Sequence, residues 1–117
     1  IALLQEMKQA LEHAGHEVIA CSDGLSAWDY LAGPVTSDLL VTRLQLRPGT
    51  PPGTALGRRA YSHYPPIPVI YIPSGPERAD YADREHGEIL VKPFAVDELV
   101  AAVDRLLRKL SVSLVVL

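Results

Sequence analysis

Several things are scarce in this sequence. It has one cysteine, Cys21, and one methionine, one tryptophan and one phenylalanine among 117 residues. A lone cysteine cannot close an internal disulfide, so no disulfide framework holds the chain, and a single thiol suits a reducing compartment. Positive charge is in the minority: 11 Lys and Arg stand against 14 Asp and Glu, a net charge of −3. That excludes the electrostatic footprint expected of a nucleic-acid binder. No apolar run approaches the roughly 20 residues of a membrane span. Residues Ile1 to Glu6 carry no basic lead of a signal peptide. The expectation is a cytoplasmic protein with neither nucleic acid nor membrane as partner. The sequence does not begin with methionine, which leaves its true start open.

What is present is ordinary for a folded domain: 48% hydrophobic and 21% charged residues. The length predicts one domain over residues 1–117. Leu4, Met7, Leu11 and Ala14 recur at helical spacing over residues 1–14, and Gly15 is a stop signal. Glu17 to Cys21 reads as a strand. Asp23 can cap a second helix striped by Leu25, Trp28, Leu31 and Ala32. Asp38 to Thr42 reads as a strand, with Arg43 at its carboxyl tip. A helix over 54–64 places Leu56 and Ala60 inward and ends at Pro65-Pro66. Ile67 to Ile72 is a strand, 77–85 a weak polar helix, and Glu88 to Val91 a short strand. A strong amphipathic helix runs from about Val96 to Leu110, and Ser111 to Leu117 reads as a last strand. Strands alternating with helices predict a parallel sheet covered on both faces.

Three stretches then line up: LEHAGHEVIACSDGLSAWDYL, DLLVTRLQLRPG, and PVIYIPSG followed by EILVKPFAVDELVAAVDRLL. In order and spacing they resemble the receiver domain of bacterial two-component response regulators, across nearly the whole chain. The most specific piece is Lys92-Pro93-Phe94 after a short strand, ahead of a long helix opened by Asp97-Glu98-Leu99. The resemblance implies a doubly wound, flavodoxin-like five-stranded sheet of order 2-1-3-4-5. It implies phosphoryl transfer from a histidine kinase to an aspartate ending the third strand. A magnesium ion would be held there by that aspartate and an acidic pair after the first strand, because carboxylates bind the hard cation. A Thr or Ser ending the fourth strand and a Lys ending the fifth would contact the phosphoryl group.

Carried over residue by residue, the match departs from the family at the site. The phosphoacceptor position falls on Arg43, and the Thr/Ser position on Pro73, with Ser74 one step later. The lysine is kept as Lys92 with its Pro93, whereas the acidic pair has no counterpart in the 117 residues. A guanidinium donates only, so it neither accepts a phosphoryl group as a carboxylate does nor ligates magnesium. Arg43 is then either a pocket-neutralising replacement for the acceptor or a solvated loop residue. Lys92 is either a relic that positions a loop or part of a working phosphate switch. No magnesium and no other cofactor is expected.

The resemblance also begins inside the family's first helix, so the central first strand has no counterpart at the amino end. Residues 111–117 are the spare strand. They are apolar on both faces, as a central parallel strand should be. Returning to the central slot over the last helix is a right-handed crossover, while adding a strand outside the fifth would be left-handed and rare. Residues 111–117 are therefore predicted in the strand-1 slot, within the chain or exchanged with a partner, as in a circular permutation.

Other features read blandly. His13 and His16 lack companion ligands and are expected at the surface, with His63 and His86 exposed at helix ends. GTPPGTALG lacks the Lys-Ser/Thr ending of a phosphate loop. Three functions follow. The first is a receiver-like signalling module, not an enzyme and not phosphorylated on Asp, that contacts a protein partner. That partner is a histidine kinase, another signalling protein or a second copy. The surface resembling the family's partner face includes Tyr81, Ala82, Arg84, Lys92, Asp104, Arg105 and Arg108. The second is a conventional phosphoaccepting regulator, for which Asp38 stands at the wrong end of its strand. The third is a flavodoxin-like cofactor binder, for which only Gly49, Gly53 and Ser74-Gly75 offer a cradle.

Overall fold

The computed structural model describes residues 2–21, 23–32, 37–44, 49, 52–63, 66–73, 87–90, 96–107 and 113–117. In chain order these form α1 (Ala2–His13), β1 (Glu17–Ala20), α2 (Gly24–Ala32), β2 (Leu39–Arg43), α3 (Gly53–Tyr61), β3 (Val69–Ile72), β4 (Gly87–Ile89), α4 (Val96–Leu107) and β5 (Ser113–Val116). The polar helix expected over 77–85 and the segment around Lys92 lie outside the described residues.

All strand pairs are parallel, and the order across the sheet is β1-β5-β2-β3-β4. This is the expected 2-1-3-4-5 arrangement with its central strand supplied from the carboxyl end of the chain. Leu114 pairs with Val18 on one side and Leu39 on the other, within one chain. Leu114 through Leu117 are fully buried, which explains why this segment is apolar on successive residues rather than alternate ones.

Strand alternation splits the interior into two layers. Leu39, Val41, Ile70, Ile72, Leu114 and Val116 meet Met7 and Leu11 of α1 and Leu99 and Val103 of α4. On the other face Leu40, Val69, Tyr71 and Val115 meet Ala27 and Leu31 of α2 and Leu56 and Ala60 of α3. Helix α1 stops where Gly15 takes φ 98°, which glycine adopts at little cost. The amides of Gly15 and His16 then reach back to the carbonyls of Glu12 and Leu11, so the last turn's acceptors are satisfied.

Some side-chain expectations need correction. The buried face of α2 is Gly24, Ala27 and Leu31, whereas Leu25 is 54% exposed and Ala32 faces out. Leu25, Asp29 and Ala32 share the outer side at helical spacing, and Trp28 sits at the boundary. Ala14 is exposed and lines a groove between α1 and α4 rather than the core. His16 is buried, not at the surface, with its Nε2 3.6 Å from an Asp104 carboxylate oxygen. His63 is half-buried, and its Nε2 donates to the Leu31 carbonyl at 2.8 Å, tying the end of α3 to α2.

Candidate functional site

The carboxyl ends of β1, β5, β2 and β3 lie side by side. The Cys21 amide donates to Val116 O at 2.9 Å, the Leu117 amide to Val41 O at 2.8 Å, and the Leu44 amide to Ile72 O at 2.8 Å. The carboxyl ends of the strands are where open parallel sheets usually bind ligands.

Arg43 is the last residue of β2, level with Ile72 of β3. It belongs to the strand rather than to the loop beyond. Alternation puts its side chain on the face of Leu39 and Val41, toward the layer of α1 and α4. The side chain is half-buried, and its Nε is shielded from solvent without a hydrogen-bond partner. Its neighbour Thr42 is fully buried, and the Thr42 hydroxyl donates to the Arg43 carbonyl at 2.9 Å. Helix α3 starts against the same backbone. The Gly53 amide donates to Leu44 O at 3.2 Å, and a Cβ at position 53 would overlap the Arg43 carbonyl. Nothing in the sequence beyond a glycine after two prolines signalled this close approach.

Pro73 closes β3 and is buried. It brings neither an N–H nor a hydroxyl to the crevice. Cys21 is a buried free thiol at the tip of β1. Burial first, and the nearby Asp23 charge second, push its pKa above the ordinary value. Asp23 caps α2 through Oδ1, which accepts from the Ser26 amide at 2.8 Å, as expected. Asp38 precedes β2, at the opposite end of the strand from Arg43. Over five residues that separation is about 16 Å.

Among the described residues no group of three or more His, Cys, Asp and Glu can hold a metal ion. Arg43, at the tip of β2, is a cationic donor and not a carboxylate. The described residues therefore do not fit a magnesium ion.

Ser74, Tyr81, Arg84, Lys92, Pro93 and Arg108 lie outside the described residues. Of the expected partner surface, Asp104 and Arg105 are described, both exposed on α4. Arg105 bonds Glu88 of β4 at 2.5 Å, and Asp104 faces His16. The two neighbours thus tie α4 to the sheet edge and to the end of α1, a pairing that sequence spacing could not reveal. On the other side of the sheet the Arg59 guanidinium stacks on Trp28, 4.1 Å from the ring centroid.

The chain is similar to the solved structure of a response regulator receiver protein from Sinorhizobium medicae WSM419. The two share 30% identity over 94% of this chain and 89% of that one, with a TM-score of 0.80. The chain belongs to the response-regulator receiver family. A receiver domain of the Francisella response regulator 1452 shares the fold, at 23% identity and a TM-score of 0.74, covering 90% of this chain and 87% of that one. No protein-family model and no curated protein matches the sequence. As a receiver module of two-component signalling, the chain has its strand-tip crevice where the family's fold puts it. No helix among the described residues is long and apolar enough to cross a membrane.

Proposed function

We propose that this receiver module signals without an aspartyl phosphate, acting in the cytoplasm as a protein-contacting element rather than an enzyme. The observation that carries this reading is the half-buried Arg43 at the carboxyl tip of β2. A carboxylate there would be both acceptor and metal ligand, and a guanidinium is neither. Pro73 supports the same reading, since it has no hydroxyl to offer a phosphoryl oxygen. Fold and site need not travel together: a receiver scaffold can keep its partner surface after its chemistry changes. The partner surface in this reading is the exposed side of α4 around Asp104 and Arg105; Tyr81, Arg84 and Arg108, which the family resemblance adds to it, lie outside the described residues. Mixed charge there suits a polar, selective contact with a kinase, another signalling protein or a second copy.

The test is incubation with acetyl phosphate and magnesium, followed by intact-mass measurement. The expected outcome is an unmodified chain. A stoichiometric, acid-labile phosphoryl adduct would overturn the reading.

A further inference from the structure

We propose that the outer face of α2 and α3 docks an acidic segment of a partner protein, with carboxylates on Arg58 and Arg59 and apolar side chains beside Leu25 and Trp28. This surface is separate from α4, because α1 and α4 cover one face of the sheet and α2 and α3 the other. It does not depend on the chemistry at position 43.

The two helical layers differ in charge. Helices α1 and α4 carry five carboxylates against Lys8 and Arg105. Helices α2 and α3 carry Arg58 and Arg59 against Asp29 alone. A chain with a net charge of −3 thus turns a cationic patch to one side. Asp29 does not neutralise that patch. It stands about 100° around α2 from Trp28. Among the described residues it forms no ion pair with either arginine.

Arg59 is held ready for a carboxylate. Its guanidinium lies over the half-buried Trp28 ring, 4.1 Å from the centroid. Seating on a ring uses the face of the guanidinium and leaves its N–H edge to an acceptor. Its Nε is shielded without a hydrogen-bond partner, and no carboxylate pairs with Arg59 among the described residues. A cation in the last turn of a helix suits the helix dipole, but the dipole does not call for a ring beneath it. A fork already fixed by a ring loses less freedom when a carboxylate binds it through two parallel N–H bonds. Arg58 is exposed and adds a second positive charge at the same end of α3. The apolar part lies alongside. Leu25 and Tyr61 are the exposed large apolar side chains among the described residues, and both belong to these two helices. Leu25 and Ala32, three before and four after Trp28, are exposed on its side of α2. Tryptophan, tyrosine and arginine together are the residues that carry most binding energy at protein contacts. Two arginines on a net-acidic chain are too short a cationic track for a nucleic-acid backbone, whereas they match an acidic peptide.

The test is fluorescence anisotropy on the full chain with a fluorescein-labelled, end-capped peptide of glutamates and leucines. The comparison is the same peptide with lysine in place of glutamate. Saturable binding of the acidic peptide alone is the expected result. Trp28 is the single tryptophan, so the unlabelled acidic peptide should also shift the tryptophan emission. Arg59→Gln should weaken binding about tenfold, as expected for one charge-assisted contact. Arg58→Gln should weaken it to a smaller extent, and it serves if Arg59→Gln does not fold. Lys8→Gln removes the same charge from α1, in the other layer, and should leave the affinity unchanged. No saturable binding, equal binding of the two peptides, unchanged Trp28 emission or equal weakening by Lys8→Gln overturns the proposal. So does a dimer in sedimentation that Arg59→Gln dissociates, because a second copy would then be the occupant.

Discussion

Arg43 and Cys21 end neighbouring parts of the same sheet edge, and each is set by what surrounds it. Arg43→Asp would restore a carboxylate at the strand tip but not a cation site, because no metal-holding cluster exists among the described residues. The expected outcome is no stoichiometric adduct with acetyl phosphate and magnesium, checked by intact mass. For Cys21 the sign follows from burial: a pKa raised above 9.0 means the fold favours the neutral thiol. Its contribution is fully present below the unfolded-state pKa and is lost as pH rises through the folded-state value. Wild-type stability should therefore decline relative to Cys21→Ala once pH exceeds 9.0, read from urea melts across an alkaline series. Gly57 is a steric case. A Cβ there would overlap the hydroxyl of the fully buried Tyr71. Gly57→Ala should cost about 1–3 kcal/mol of unfolding free energy, since a well-packed ring has little room to yield. The place of Arg43 at a strand tip was legible in the sequence because an apolar run and a proline- and glycine-rich loop framed it. The Gly57–Tyr71 and His16–Asp104 contacts were not, because nothing local announces a partner 14 or 88 residues away.

Among the elements, those with strong periodicity were read well. Helix α4 buries Leu99 and Val103, with Val100 and Leu106 packed against them, on the stripe its spacing marks out. Helix α2 was misread because its inward face is built from Gly24 and Ala27. Small residues carry little hydrophobic signal, yet they are what lets a helix lie close to a sheet. Leu25 drew the eye and faces solvent. Strand β2 extends to Arg43, one residue further than its composition suggests, because Arg43 keeps register with Ile72. Helix α4 is tied down at its polar side by Arg105–Glu88, a pair whose members are both substantially exposed. Arg105→Ala should therefore lower stability by less than about 1 kcal/mol in urea melts. A larger loss would mean that the pair organises β4 and α4 rather than decorating them.

At the scale of the whole molecule the decisive feature is β5. It fills the centre of the sheet, between β1 and β2, although it comes last in the described chain. Both of its faces are buried, so it joins the two core layers at once. Leu114→Ala should cost about 2–5 kcal/mol, as for other fully buried leucines. Ile19→Ala on the half-buried edge strand β1 should cost clearly less. Equal losses would mean that the centre of the sheet is not where the stability is concentrated. The alternation of strands and helices, the two-sided apolar character of 111–117 and the cation at position 43 follow from the sequence by itself, because periodicity, composition and charge are local properties. Three things waited for the tertiary structure: the pairing of β5 within its own chain, the orphaned nitrogen of Arg43, and the commitment of the nearby carboxylates elsewhere. Each depends on which distant groups the packed layers bring together, and no local pattern encodes that.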